Sequence, residues 1–138
     1  MKAKMTYQIT LAAAMLLGAS LAQANNTKVV LTGAEETPAV STTASGEGVI
    51  TVGADHGVTG SVTVKDVQAT AAHIHAAAPG KSGPPVITLA KTGDNVWSVP
   101  AGSTLNDEQY ASYLAGNLYI NVHSADHKPG EIRGQLRP

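Results

Sequence analysis

Short runs rich in Val, Ile and Thr alternate with Gly, Pro, Asp and Asn from Lys28 to the end of the chain. This pattern is typical of short antiparallel strands that are connected by turns and packed as a sandwich or barrel. A hairpin connection is predicted at Gly53–Gly57, between two such runs. The sequence therefore predicts an all-β domain, with strands at Lys28–Thr32, Gly46–Val52, Gly57–Val64, Ala71–His75, Val86–Leu89, Asn95–Ser98, Leu118–His123 and Glu131–Leu136.

One segment, Thr104–Gly116, departs from the strand pattern. Thr104 or Asn106 can cap the start of a helix, and the acidic pair after Asn106 suits the positive end of the helix dipole. Gly116 suits the C′ position, where the backbone adopts a left-handed conformation. We therefore predict one short helix in this otherwise all-β chain.

The first 24 residues have the organisation of a secretory signal peptide. Lys2 and Lys4 precede the apolar stretch Ile9–Leu21, and Ala22-Gln23-Ala24 provides small residues for cleavage. The apolar stretch is shorter than the roughly 20 residues that a membrane-spanning helix needs. An N-terminal core helix is the alternative. We predict a signal peptide at residues 1–24, a mature domain at residues 25–138, and a periplasmic or secreted location.

The composition after residue 24 limits the partners and the metal chemistry of the domain. Seven Lys and Arg against ten Asp and Glu give a formal charge of −3, which argues against a nucleic-acid partner. The chain has no Cys, and its three Met residues all precede residue 24, so the mature domain has neither sulfur nor disulfides. Any metal must be bound by imidazole, carboxylate or backbone oxygen. No membrane span is expected in the mature chain.

Four of the five His residues fall in two clusters at the ends of predicted strands. His73 and His75 are two residues apart, so in a strand both imidazoles point to one face. His123 lies opposite the apolar face of its strand, and His127 follows in a loop. If these strands meet, three or four imidazoles can converge on a site suited to Cu(II), Zn(II) or Ni(II). Hydrogen-bonded or solvated histidines without a metal are the alternative, and we assign His56, in a predicted turn, to that class.

Sequence segments typical of one domain family run through the mature chain. They are Leu31–Val40, Ala71–His75, the predicted helix, Leu118–His123 and Gly130–Leu136. In this order they resemble the CHRD (chordin-type) domain family over essentially the whole mature chain. CHRD domains occur in chordin, which antagonises bone morphogenetic proteins, and in bacterial exported proteins of mostly unassigned role. The resemblance therefore implies a fold and a location rather than a reaction.

The order of the His and Arg residues is also similar to that in Cu/Zn superoxide dismutase, a Greek-key β-barrel enzyme. This similarity implies that His73, His75 and His123 match copper ligands and that Arg133 matches the arginine that attracts superoxide. His127 has no counterpart there and is a candidate for completing the copper site. The Gly- and Pro-rich segment after His75 has no His, and the paired cysteines of that enzyme are absent. The similarity therefore implies at most a site that holds copper without zinc. For Arg133, the alternative role is pairing with nearby carboxylates.

Three functions are compatible with the predicted fold, an all-β Greek-key domain with one short helix. The first is an exported metal-binding domain, with copper favoured over zinc and with His73, His75, His123 and His127 as ligands. The second is a copper-only superoxide dismutase-like enzyme, with Arg133 as its candidate catalytic residue. The third is a non-catalytic module that binds a protein or polymer of the cell envelope. Histidines more than about 10 Å apart would favour the third, because metal–nitrogen bonds are roughly 2 Å long.

Overall fold

Nine strands and two short helices make up residues 23–138, the part of the chain that the computed structural model describes. The predicted signal peptide lies outside these residues, apart from Gln23 and Ala24. The strands are β1 (Asn25–Thr32), β2 (Ser45–Val52), β3 (Val58–Lys65), β4 (Ala69–Ala76), β5 (Pro85–Thr88), β6 (Ala90–Gly93), β7 (Val96–Ser98), β8 (Leu118–Ser124) and β9 (Ile132–Leu136). The helices are a 3₁₀ turn at Gly33–Glu35 and α1 at Asp107–Leu114.

The strands form one antiparallel sheet in the order β5-β4-β8-β9-β1-β2-β3-β7-β6. Its two edge strands, β5 and β6, are separated along the chain by Leu89 alone, so the sheet curls into a nearly closed barrel. With β5 and β6 taken as one bent strand, β4, β5–β6 and β7 are consecutive neighbours. Strand β8 then returns to lie beside β4, which is the Greek-key arrangement. The predicted all-β fold is confirmed.

The alternation of apolar and polar residues explains most of the strands. In β1, Val29 and Leu31 are buried in the barrel while Lys28 and Val30 are exposed. Each of the eight predicted strands is present. The pattern does not predict β6, because all four of its residues are exposed and none alternates with a buried one.

Helix α1 has the predicted ends. The side chain of Asn106 accepts a hydrogen bond from the Gln109 N–H at 2.8 Å, and the Gln109 side chain accepts one from the Asn106 N–H at 2.9 Å. Gly116, with a φ of 75°, occupies C′ and donates to the carbonyl of Tyr113. The buried hydroxyl of Tyr113 lies 2.9 Å from that of Thr27, which ties the helix to β1.

The outer face of β8 and β9 is buried, although the sequence pattern places polar residues there. The inner face contributes aliphatic side chains to the core, among them Ile120, Val122 and Ile132. The outer face carries four polar residues that are each less than a tenth exposed, namely Tyr119, Asn121, Arg133 and Gln135. Loops cover this polar layer, and the histidine clusters lie beside it.

Candidate metal centre

The pairing of β4 with β8 brings three histidines to one face of the sheet. In this register His73 lies opposite Asn121, and His123 lies opposite Ala71. Residues two positions apart in a strand point the same way, so His75 shares the face of His73. Three imidazoles, two from β4 and one from the distant strand β8, therefore project side by side from the outer face of the barrel.

One ring nitrogen from each of His73, His75 and His123 lies within 4.8 Å of one from each of the others. The closest pair is Nδ1 of His73 and Nε2 of His123, at 3.0 Å. The three ring centroids are 5.0 to 6.2 Å apart. These separations are far below the roughly 10 Å at which a shared ion would be impossible. All three histidines can therefore contact a single ion.

Backbone carbonyls fix the tautomers of two of these histidines. Nδ1 of His75 is 2.9 Å from the carbonyl oxygen of Gly83, and Nδ1 of His123 is 2.7 Å from that of Lys128. A carbonyl can only accept, so each Nδ1 donates its proton and each Nε2 of the neutral ring keeps a lone pair. Nε2 of His75 is buried and has no hydrogen-bond partner within the described residues. Metal-ligating histidines have this same arrangement, with the second nitrogen donating to a carbonyl.

The surroundings favour the neutral form of two of the imidazoles. Burial lowers the pKa of His73, and the neighbouring His123 and His75 lower it further because a second positive charge would be close by. Burial is also the main cause that lowers the pKa of His75. Protons therefore compete less with a metal ion for these nitrogens at neutral pH.

Arg133 and Gln135 hold the loop between β4 and β5, residues 77–84, over the polar layer. The Arg133 guanidinium donates to the carbonyl of Lys81 at 2.7 Å and to that of Ala78 at 3.2 Å. It also donates to Oε1 of Gln135 at 3.1 Å. With only 2% of its surface exposed, Arg133 faces the loop and not the solvent.

Tyr119 connects this arginine to the histidine cluster. Its ring is stacked on that of His75, with centroids 5.0 Å apart and planes 7° from parallel. The Cζ atom of Arg133 also lies over the Tyr119 ring, 3.5 Å from its centroid. The Tyr119 hydroxyl accepts a hydrogen bond from the N–H of Gly83 at 3.2 Å. Tyr119 thus contacts both Arg133 and His75.

The comparison with known protein families agrees with this fold. The model of the CHRD domain matches residues 27–136. The chain belongs to the CHRD domain family. The match includes the whole of β2 to β9 and confirms the resemblance seen in the sequence segments. No curated protein and no solved structure matches this CHRD domain significantly. Neither helix within residues 23–138 is long and apolar enough to cross a membrane.

The CHRD domain does not bring every predicted site residue into the cluster. His127 lies outside the group of His73, His75 and His123. It belongs to the turn after β8, where its N–H donates to the Ser124 hydroxyl at 3.1 Å. Two of the predicted four ligands thus come from β4 and one from β8.

Arg133 and His56, which the sequence analysis also discusses, make contacts within the fold. The partners of Arg133 are the loop carbonyls in place of the carboxylates that the sequence offers. His56 is in the β2–β3 turn, as predicted, with its ring 4.1 Å from that of Tyr110 and its Nδ1 3.6 Å from Asp107.

The half-buried carboxyl of Glu36 also lies near Arg133. Burial raises the pKa of Glu36, while the positive charge of Arg133 and a hydrogen bond from Asn121 act in the opposite direction. Oε1 of Glu36 has no hydrogen-bond partner within residues 23–138. The polar layer beside the histidines thus contains a carboxyl group that is poorly solvated.

Sequence reasoning does not identify Gly83, Tyr119 or Gln135 as part of the site. The alternation in β8 does place Tyr119 on the same face as His123. The contacts of Gly83 and Gln135 depend on how a loop folds back onto the sheet, and no local pattern reports that.

Proposed function

We propose that this CHRD domain binds one divalent transition-metal ion through His73, His75 and His123, with Cu(II) favoured over Zn(II). The observation that carries the proposal is the 3.0 Å separation of His73 Nδ1 and His123 Nε2. Two bonds of about 2.0 Å to a common ion would enclose an angle of about 97° at this separation. The fixed tautomers of His75 and His123 support it, because each leaves a lone pair on Nε2.

The donor set supports copper. Imidazole nitrogen suits Cu(II), Zn(II) and Ni(II), and for a given site Cu(II) binds most tightly among these ions. The chain has no Cys, so it offers no thiolate ligand, which would favour a softer metal ion.

The proposal places this metal-binding domain outside the cytoplasm, in the periplasm or secreted. Its support is the signal-peptide pattern of residues 1–24 together with the family, whose members are typically extracellular. An oxidising compartment with little reduced thiol also suits a Cu(II) site built on imidazole.

Titration of the purified protein with Cu(II) and Zn(II), followed by EPR of the copper form, tests the proposal. We expect one tightly bound copper ion per chain and an EPR signal with several nitrogen ligands. The double variant His73→Ala/His123→Ala is expected to lose this binding, and His56→Ala is the matched control that keeps it. Weak binding that is indifferent to the double variant would make the histidines structural and would favour the envelope-binding module.

A further inference from the structure

We infer that Arg133 and Tyr119 are positioning residues of the metal site, which hold the β4–β5 loop so that the Gly83 carbonyl fixes the tautomer of His75. The part of this inference that concerns Cu(II) affinity rests on the proposed function. The part that concerns the tautomer of His75 is independent of it, because the tautomer can be measured without a metal.

Three loop carbonyls are bound by side chains of β9. Arg133 donates to Lys81 and Ala78 through two different nitrogens, at 2.7 and 3.2 Å. Gln135 donates from Nε2 to the carbonyl of Ala77 at 2.9 Å. The planar guanidinium presents its donors in a rigid geometry, so it fixes the loop at two points at once. A buried guanidinium without these acceptors would be costly, which makes the loop conformation and Arg133 mutually dependent.

Gly83 transmits this loop position to the histidine. Its N–H donates to the Tyr119 hydroxyl at 3.2 Å, and its carbonyl accepts from Nδ1 of His75 at 2.9 Å. A β-carbon at Gly83 would collide with the carbonyl oxygen of Ala76, so the backbone can approach this closely only because the residue is glycine. Gly83, which contacts the proposed ligand His75, is therefore held through both its N–H and its carbonyl group.

Contacts of the Tyr119 ring fix the plane of the same ligand. The guanidinium of Arg133 lies over the Tyr119 ring, and the ring of His75 lies nearly parallel to it. A cation over an aromatic ring and a stacked neighbour both favour one ring orientation. Arg133 therefore acts on His75 along two routes, through the loop to Nδ1 and through Tyr119 to the ring plane.

The consequence is a site whose affinity depends on residues that do not touch the ion. Loss of an outer hydrogen-bond partner of a metal ligand typically lowers affinity about 10–100-fold. In this domain the partner is a backbone carbonyl, so its position depends on the side chains that hold the loop.

The test uses Tyr119→Phe, which removes only the acceptor for Gly83, and Arg133→Lys, which keeps the positive charge but not the planar donor pair. The matched controls are Tyr110→Phe, beside His56, and Arg137→Met, an exposed arginine one residue after β9. Nitrogen-15 NMR of the metal-free protein reports the tautomer of His75, and competition with a chelator reports the Cu(II) affinity. In both variants we expect a smaller Nδ1–H population of His75 and about 10-fold weaker Cu(II) binding, with both controls unchanged.

Thermal unfolding establishes that each variant is folded. Tyr119→Phe, which changes a single atom, keeps the test decisive if an Arg133 variant does not fold. Folded variants in which His75 keeps its wild-type tautomer would overturn the inference. The inference would also be overturned if Arg133→Lys left the His75 tautomer and the Cu(II) affinity unchanged while Arg133→Met bound Cu(II) more tightly. The positive charge of Arg133 alone would then explain its effect on the site. A wild-type protein that binds no copper would end the proposed function, and the tautomer comparison would still decide the positioning role.

Discussion

Nδ1 of His73 lies 3.0 Å from Nε2 of His123, although the two residues are 50 positions apart in the chain. Nε2 of His123 has only a lone pair to offer, because its Nδ1 proton is donated to the carbonyl of Lys128. When both rings are neutral, His73 therefore donates from Nδ1 in the metal-free protein. This single proton occupies the position that a metal ion bound by both rings would take.

The first prediction concerns this proton. Metal bound at Nδ1 of His73 requires the neutral ring to move its proton to Nε2, while His75 and His123 keep their Nδ1–H tautomers. Nitrogen-15 NMR with Zn(II), which is diamagnetic, follows all three rings in one titration. A His73 ring that keeps its Nδ1–H form at saturating zinc would contradict the ligand assignment.

The second prediction separates the three clustered histidines from His127. His73→Gln and His123→Gln each remove a proposed ligand, so we expect them to weaken Cu(II) binding by more than the about 10–100-fold typical of an outer-shell loss. His127→Gln is expected to leave the affinity unchanged, because His127 lies outside the cluster. Isothermal titration or chelator competition measures the three variants side by side. A large loss in His127→Gln would restore it as the fourth ligand that the sequence offers.

Local pattern accounts for much of the site and for most of the strands. The spacing of His73 and His75 predicts a shared face, and the alternation in Leu118–His123 predicts that His123 points away from the core. Both strands and both orientations are present. The caps of α1 at Asn106 and Gly116 also follow from residue type alone.

The remaining features depend on contacts that no local pattern contains. Pairing of β4 with β8 joins segments separated by β5 to β7 and α1, so the sequence allows the histidines to meet without requiring it. The contacts of Arg133 depend on a loop that folds over β9 and supplies carbonyl acceptors, which no local pattern predicts. His127 follows a strand end in the sequence, but the turn directs it out of the group.

The third prediction is a loss of stability in mild acid. Burial lowers the pKa of His73 and His75 below the ordinary value of 6.5 in the folded protein. The unfolded chain therefore binds more protons as the pH falls through about 6.5, and the free energy of unfolding of the metal-free protein decreases. Above that pH both histidines are neutral in both states and contribute no slope. Urea unfolding between about pH 7.5 and pH 5 measures the effect.

Two variants control this pH profile. His73→Gln/His75→Gln is expected to flatten the slope below about pH 6.5, because the titrating groups are gone. Glu36 has the opposite sign, since burial raises its pKa above 4.5 and the folded state takes up its proton first. Glu36→Gln is therefore expected to make the loss of stability at the acid end steeper. A wild-type profile that coincides with the double histidine variant would contradict the lowered pKa values of these two rings.

The fourth prediction concerns Gly83, whose carbonyl accepts from Nδ1 of His75. In Gly83→Ala the new methyl group meets the Ala76 carbonyl oxygen, so the loop must move away from β4. Overpacking of this kind typically costs about 1–3 kcal/mol, and the displaced carbonyl should also weaken Cu(II) binding about 10-fold. Gly93→Ala is the matched control, because a β-carbon there makes only ordinary contacts with the Val96 side chain at 3.4 Å. Denaturant unfolding and chelator competition on both variants check the prediction, and a Gly83→Ala protein with wild-type stability and affinity would show that the loop does not need this close approach.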